Sequence, residues 1–89
     1  MNETDIFKKL SKICDKLYEN HSLILFYIVD TDNNINLMLR SERLPFINCC
    51  TTMTTENLKK CSIRKCVNDL QYNYGCELLR KLKIILEVD

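Results

Sequence analysis

Six cysteines in 89 residues, five of them in the second half (Cys49, Cys50, Cys61, Cys66 and Cys76), are the side chains here best equipped for chemistry. Thiols hold metals, pair as disulfides or act as nucleophiles, and spacing decides among these uses. A structural zinc site draws paired ligands from short knuckles such as C-x2-C, used twice to close a tetrahedron. The pairs in this chain are Cys49-Cys50 and Cys61-x4-Cys66. Adjacent cysteines do not readily point at one ion. On a continuous helix, residues five apart lie about 140° apart around the axis with about 7.5 Å of rise. Their Cα atoms are then about 8.6 Å apart, too far for a shared ion or a disulfide. The zinc set that the spacing leaves open uses Cys49 or Cys50, Cys61 or Cys66, and Cys76. The competing reading takes Cys14 and Cys66 as small buried hydrophobes and the other thiols as unpaired. We take no cofactor as the expectation, with zinc as the alternative.

Other chemistries have less support. No C-x2-C redox motif is present. Cys66-x9-Cys76 has the spacing of one arm of a twin C-x9-C helical hairpin, but Cys50-x10-Cys61 misses the second arm by one residue. A cysteine nucleophile would need His21, the only histidine, as its base. One glycine cannot build a phosphate-cradling loop. Asp30, Asp32 and Asn34 match the first ligand positions of an EF-hand loop, yet Ile35 stands where that loop needs Gly and Ser41 where it needs Glu. These spacings argue against an enzyme. A basic stretch, Lys59, Lys60, Arg64, Lys65, Arg80, Lys81 and Lys83, is able to meet phosphates. It lacks interleaved aromatics beyond Tyr72 and Tyr74, and a solvated helix face explains it equally well.

Composition sets the frame. An apolar fraction of 46% with 28% charged residues is that of an ordinary globular protein, and the chain reads as one domain over 1–89. The longest apolar run, Leu23 to Val29, is far shorter than the roughly 20 residues of a membrane span. The opening MNETDIFKKL lacks the basic and apolar regions of a secretory signal. A cytoplasmic protein without membrane contact is the expectation, and there thiols are kept reduced. Charge is uneven: −2 over residues 1–39, +5 over 40–83, and −2 from Glu87 and Asp89. The absence of Ala and Trp, with heavy use of Asn, Ile and Lys, carries the imprint of an AT-rich genome such as that of a large virus or phage.

These side chains must be positioned by a few short elements. Ile6, Leu10, Ile13, Cys14 and Leu17 form one face of a helix, with Thr4 as N-cap and Asn20 as its stop. Leu23–Val29 reads as a buried central strand, Asp30–Asn34 as a hairpin loop, and Ile35, Leu37 and Leu39 alternate as a half-exposed strand does. Residues 41–53 read as a loop around Pro45, with a short strand at Phe46-Ile47. Thr54 or Thr55 caps a second helix running to about residue 74, where Gly75 supplies the C′ glycine. The tail fits either periodicity. Leu82, Ile84, Leu86 and Val88 alternate, so a third strand pairing with the hairpin is the preferred reading.

The order helix, strand, IVDTDNN turn, strand resembles the start of roadblock and longin-type scaffold domains, over less than half of the chain. The sequence thus predicts an α+β domain: an N-terminal amphipathic helix on a short antiparallel sheet (hairpin 22–40 plus a C-terminal strand), and a second helix over about 55–74. By elimination, the expected function is a small non-catalytic protein-binding module, of the kind viruses and phages use to inhibit or adapt host machinery. The alternative is a zinc-stabilised or basic nucleic-acid-binding accessory protein. Exposed strand edges, with only Arg40 to guard them, predict a homo-oligomer whose interface includes Leu82, Ile84, Leu86 and Val88.

Overall fold

The computed structural model describes the backbone of residues 3–87. In chain order they form α1 (Glu3–His21), β1 (Leu23–Val29), β2 (Asn34–Ser41), β3 (Asn48–Thr54), α2 (Thr55–Lys60) and α3 (Ile63–Glu87). The architecture is α+β: helices lie on one face of a three-stranded antiparallel sheet of order β1-β2-β3. No helix among the described residues is long and apolar enough to cross a membrane.

α1 forms because its apolar residues recur every three or four positions, and the stripe they make is the centre of the core. Leu10, Ile13 and Leu17 are at most 1% exposed, and each side chain so buried stabilises the fold by about 1.5–3 kcal/mol. They meet Leu25, Leu37 and Leu39, which the strand pleat turns to the same side, together with Ile35 and Cys49. The helix runs past Asn20. Its stop is Ser22, which adopts a left-handed φ of 55° and donates its N–H to the Tyr18 carbonyl at 3.0 Å. The Tyr18 hydroxyl donates in turn to Glu42 Oε1 at 3.0 Å, tying the end of α1 to the β2–β3 loop.

The hairpin register pairs Leu25 with Leu39, Tyr27 with Leu37 and Val29 with Ile35. Its turn is built by Asp30, whose Oδ1 accepts the N–H groups of Asp32 and Asn34 at 2.9 and 3.0 Å. Asn33 takes the left-handed conformation that its side chain tolerates, φ 63°. The aspartates that match an EF-hand loop in spacing are therefore turn formers.

The structure corrects three expectations. First, β1 is an edge strand and β2 is central. Second, the third strand is Asn48–Thr54, not the tail. Cys49, Thr51 and Met53 pair with Leu39, Leu37 and Ile35 on the core side. Ser41 and Leu44 close the preceding loop through backbone hydrogen bonds, and Ile47, 1% exposed, plugs it. Third, the helix expected over 55–74 is two helices. Thr54 caps α2, accepting the Asn57 N–H at 3.1 Å. Cys61 then turns extended (φ −93°, ψ 144°). Ser62 starts α3, its Oγ accepting the Lys65 N–H at 3.1 Å. The Lys9 ammonium donates to the carbonyls of Leu58 and Cys61 and so fastens this elbow to α1.

α3 continues through Gly75 without a break, because Leu70, Tyr74 and Leu78 keep the helical period against the core. Gly75 thus occupies a helix interior with open space around its Cα and no left-handed backbone to serve. Glycine at such a position costs about 1 kcal/mol relative to alanine. Gly75→Ala is expected to raise the melting temperature by about 5 °C. A calorimetric scan showing a loss instead would contradict an uninterrupted α3.

Candidate functional site

The elbow and the continuity of α3 decide what the cysteines can do. Cys66 and Cys76 lie ten residues apart on one helix, about 15 Å along its axis. The alternative zinc ligands Cys49, Cys61, Cys66 and Cys76 therefore fall into two separate groups. Cys49, buried on β3, and Cys76, exposed on α3, interact electrostatically with each other and with Glu77 at one end. Cys61, at the elbow, and Cys66, in the first turn of α3, line one small cleft of about 150 Å³ at the other. The structure does not bring the four together. Among the described residues no group of three or more His, Cys, Asp or Glu side chains is arranged to hold a metal ion.

The thiols differ by burial. Burial pushes the Cys14, Cys49 and Cys66 thiols above the ordinary cysteine value; Asp15, Glu77 and Cys61 respectively add to the shift. Cys14 is half-buried, not buried as expected, and its Sγ points at the Leu25 carbonyl at 3.7 Å. Cys50 and Cys76 are exposed. His21 lines a cleft with Lys16, Asn20, Ile63, Arg64, Val67 and Asn68. None of these is a thiol, so that cleft assembles no Cys/His nucleophile.

The basic residues form a dispersed and partly compensated surface. Lys60 pairs with Glu56 at 3.6 Å and Lys65 with Asp69 at 3.3 Å. Arg80 and Lys81 share Glu77, whose carboxyl the Arg80 guanidinium holds below the usual range. Lys81 also donates to the Asn48 carbonyl at 2.9 Å, pinning α3 to β3. Lys59 and Arg64 are exposed, on α2 and at the start of α3. Arg64 and Lys83 are separated by about 28 Å of helix. Such exposed pairs contribute little to stability, and their acids dilute any field directed at phosphates.

The feature that sequence reasoning missed is the outer face of the sheet. All helices cover the face of Leu25, Leu37 and Cys49, so the alternate residues look outward. The strand register aligns them in three rows: Ile28, Asn36 and Thr52; Phe26, Met38 and Cys50; Ile24, Arg40 and Asn48. Phe26 is 44% and Ile28 is 70% exposed, and the first two rows floor an open groove of about 730 Å³. Arg40, the one charged residue of these rows among the described residues, lies over the Phe26 ring, 5.4 Å from its centroid, where a cation is attracted to the ring face. Arg40 is on the central strand and guards no edge. The missed signal is that Leu23–Val29 is apolar at every position. In a sheet covered on one face only, such a run must present half of its side chains to solvent.

Among the described residues β1 also has an edge with no strand beside it. It pairs with β2 on one side alone, and its seven residues include no charge, proline or glycine. The tail surface differs from expectation: Leu82 and Ile84 are exposed on a helix, beside Leu79. Leu86 lies within α3, and Val88 lies outside the described residues.

Comparison with protein-family models, curated proteins and solved structures finds no match for this chain.

The raised thiols give the fold a defined response to alkali. Each of the three holds its proton more tightly folded than unfolded, so its contribution is complete well below the unfolded cysteine pKa of about 8.5. It is lost as pH rises through the folded values. The melting temperature is expected to fall between pH 8 and 10, and to fall less in Cys66→Ala. Parallel slopes for the two proteins would show that Cys66 does not contribute.

Proposed function

We propose that this chain is a non-catalytic protein-binding module that works by strand addition at β1, and that in isolation its partner is a second copy of itself. The observation that carries this reading is an edge strand of seven apolar residues with none of the devices that normally blunt an edge, such as charge, proline or a bulge. Its outward N–H and C=O groups offer main-chain affinity, and its side chains offer recognition. The strand is self-complementary. A two-fold axis at the middle of Leu23–Val29 sets Phe26 opposite its own copy, Ile24 opposite Ile28, Leu25 opposite Tyr27 and Leu23 opposite Val29. Every cross-strand pair is apolar and none is charged, the arrangement a two-fold interface requires.

As the interface, β1 is preferred to the tail, where Leu79, Leu82 and Ile84 are exposed on α3. The β1 residues Ile24, Phe26 and Ile28 of two such copies would form an apolar strip at the centre of a six-stranded sheet, flanked by the mixed residues of β2 and β3, and this is the surface available to a further protein. The composition supports the narrower reading of a viral or phage inhibitor or adaptor acting in the host cytoplasm. The partial compensation of the basic residues weighs against nucleic acid, and the separation of the cysteine pairs weighs against zinc.

Sedimentation at micromolar concentration tests the interface. A dimer is expected for the native chain. Ile28→Lys, at a largely exposed position, should convert it to a folded monomer, whereas Leu82→Lys should leave it dimeric. A native monomer, or dissociation by Leu82→Lys alone, would overturn the β1 assignment. A chelator is expected to leave the circular dichroism spectrum unchanged; unfolding on chelation would establish a structural metal.

A further inference from the structure

The break between α2 and α3 creates a juxtaposition that a continuous helix would forbid. With Ser62 as the N-cap of α3, Cys61 occupies the position just before the cap and Cys66 the fourth residue of the helix. Side chains at these two positions meet across the first turn, in the contact that staples many helix N-termini with a hydrophobic pair. Here both members are thiols. Both pack on the core cluster, Cys61 half-buried and Cys66 3% exposed, and both line the same small cleft. The Lys65 N–H on Ser62 Oγ and the Cys66 N–H on the Ser62 carbonyl fix the turn between them. Lys9 fixes the Cys61 carbonyl from α1.

We propose that Cys61 and Cys66 form an oxidisable dithiol, a reversible modification site whose disulfide locks the α2–α3 elbow. The co-reactant is a low-molecular-weight disulfide such as oxidised glutathione. The more accessible Cys61 thiolate attacks one of its sulfurs, forming a mixed disulfide and releasing one glutathione thiolate. The Cys66 thiolate, reached as the first turn of α3 opens, then attacks the Cys61 sulfur and releases the second glutathione. Two protons leave the protein thiols, the two cysteines are oxidised by two electrons, and the glutathione disulfide is reduced to two thiols. α2 is six residues long, and the hydrogen bond from the Thr55 N–H to the Asn33 carbonyl holds its start against the hairpin turn. A bridge at its other end would make the connection from sheet to α3 rigid throughout.

The sequence supplies a direct assay, because Arg64 and Lys65 lie between the two cysteines. The full chain carrying Cys50→Ser and Cys76→Ser, which removes the exposed thiols, is incubated with oxidised glutathione, alkylated and digested with trypsin. The expected product is a disulfide-linked pair of peptides, 61–64 with 66–80, that separates on reduction. It is accompanied by the loss of two titratable thiols and by a higher melting temperature. Adding Cys61→Ser should abolish the linked pair and leave Cys66 alkylated. Glutathione retained on Cys61, or separate alkylation of both cysteines after oxidation, would overturn the proposal. So would an oxidised protein whose melting temperature is unchanged.

Discussion

The alternation of side chains along three short strands is the constraint on which the rest of this molecule depends. Because the pleat sends successive residues to opposite faces, Leu25, Leu37, Leu39 and Cys49 gather on one side. The helices have only that side to bury against. α1 delivers Leu10, Ile13 and Leu17 to it, and α3 delivers Cys66, Val67, Leu70 and Tyr74. Among the described residues no further element covers the second face. The exposed apolar residues of β1 on the outer face are a consequence of that arrangement: a sheet with two faces, and described helices on one.

The parts of the fold that were legible in the sequence are those with strong periodicity. The α1 stripe and the Ile35, Leu37, Leu39 alternation identify helix, strand and core without ambiguity, and Asp30–Asn34 identifies the turn. β3 was hidden because Asn48–Thr54 has only cysteine, threonine and methionine to alternate, and a β-branched threonine carries its strand preference without an apolar signature. The elbow was hidden because Ser62 is a weak sign on its own; it matters only once Cys61 turns extended. Gly75 gave the opposite error. Its punctuation was overridden by Tyr74 and Leu78, whose burial holds α3 through it. The exposed face was hidden for a different reason: an apolar strand reads as doubly buried until the number of covering layers is known.

The same elements redistribute the chemistry. Thiols that look crowded in the sequence are parted by the rise of α3, while Cys61 and Cys66, which appear too far apart on an unbroken helix, line one cleft. Charges behave similarly: the basic run of the second half is interleaved with Glu56, Asp69 and Glu77 once the helices are wound. Linear proximity misjudged both, because helical geometry regroups residues every three or four positions.

The strand order, identical to the order along the chain, has a kinetic consequence. Each strand pairs with its sequence neighbour, so the sheet assembles by closing two short loops, and loop closure of that kind is rapid. α1 directly precedes β1, so its docking is also local. The distant closures are those of α2 and α3 returning to α1 from the second half of the chain. Residues 3–54 can therefore acquire their hairpins and first helix as a unit, and α3 completes the core last. That order suits synthesis from the N-terminus, since the aggregation-prone β1 already has β2 beside it before the final helix emerges.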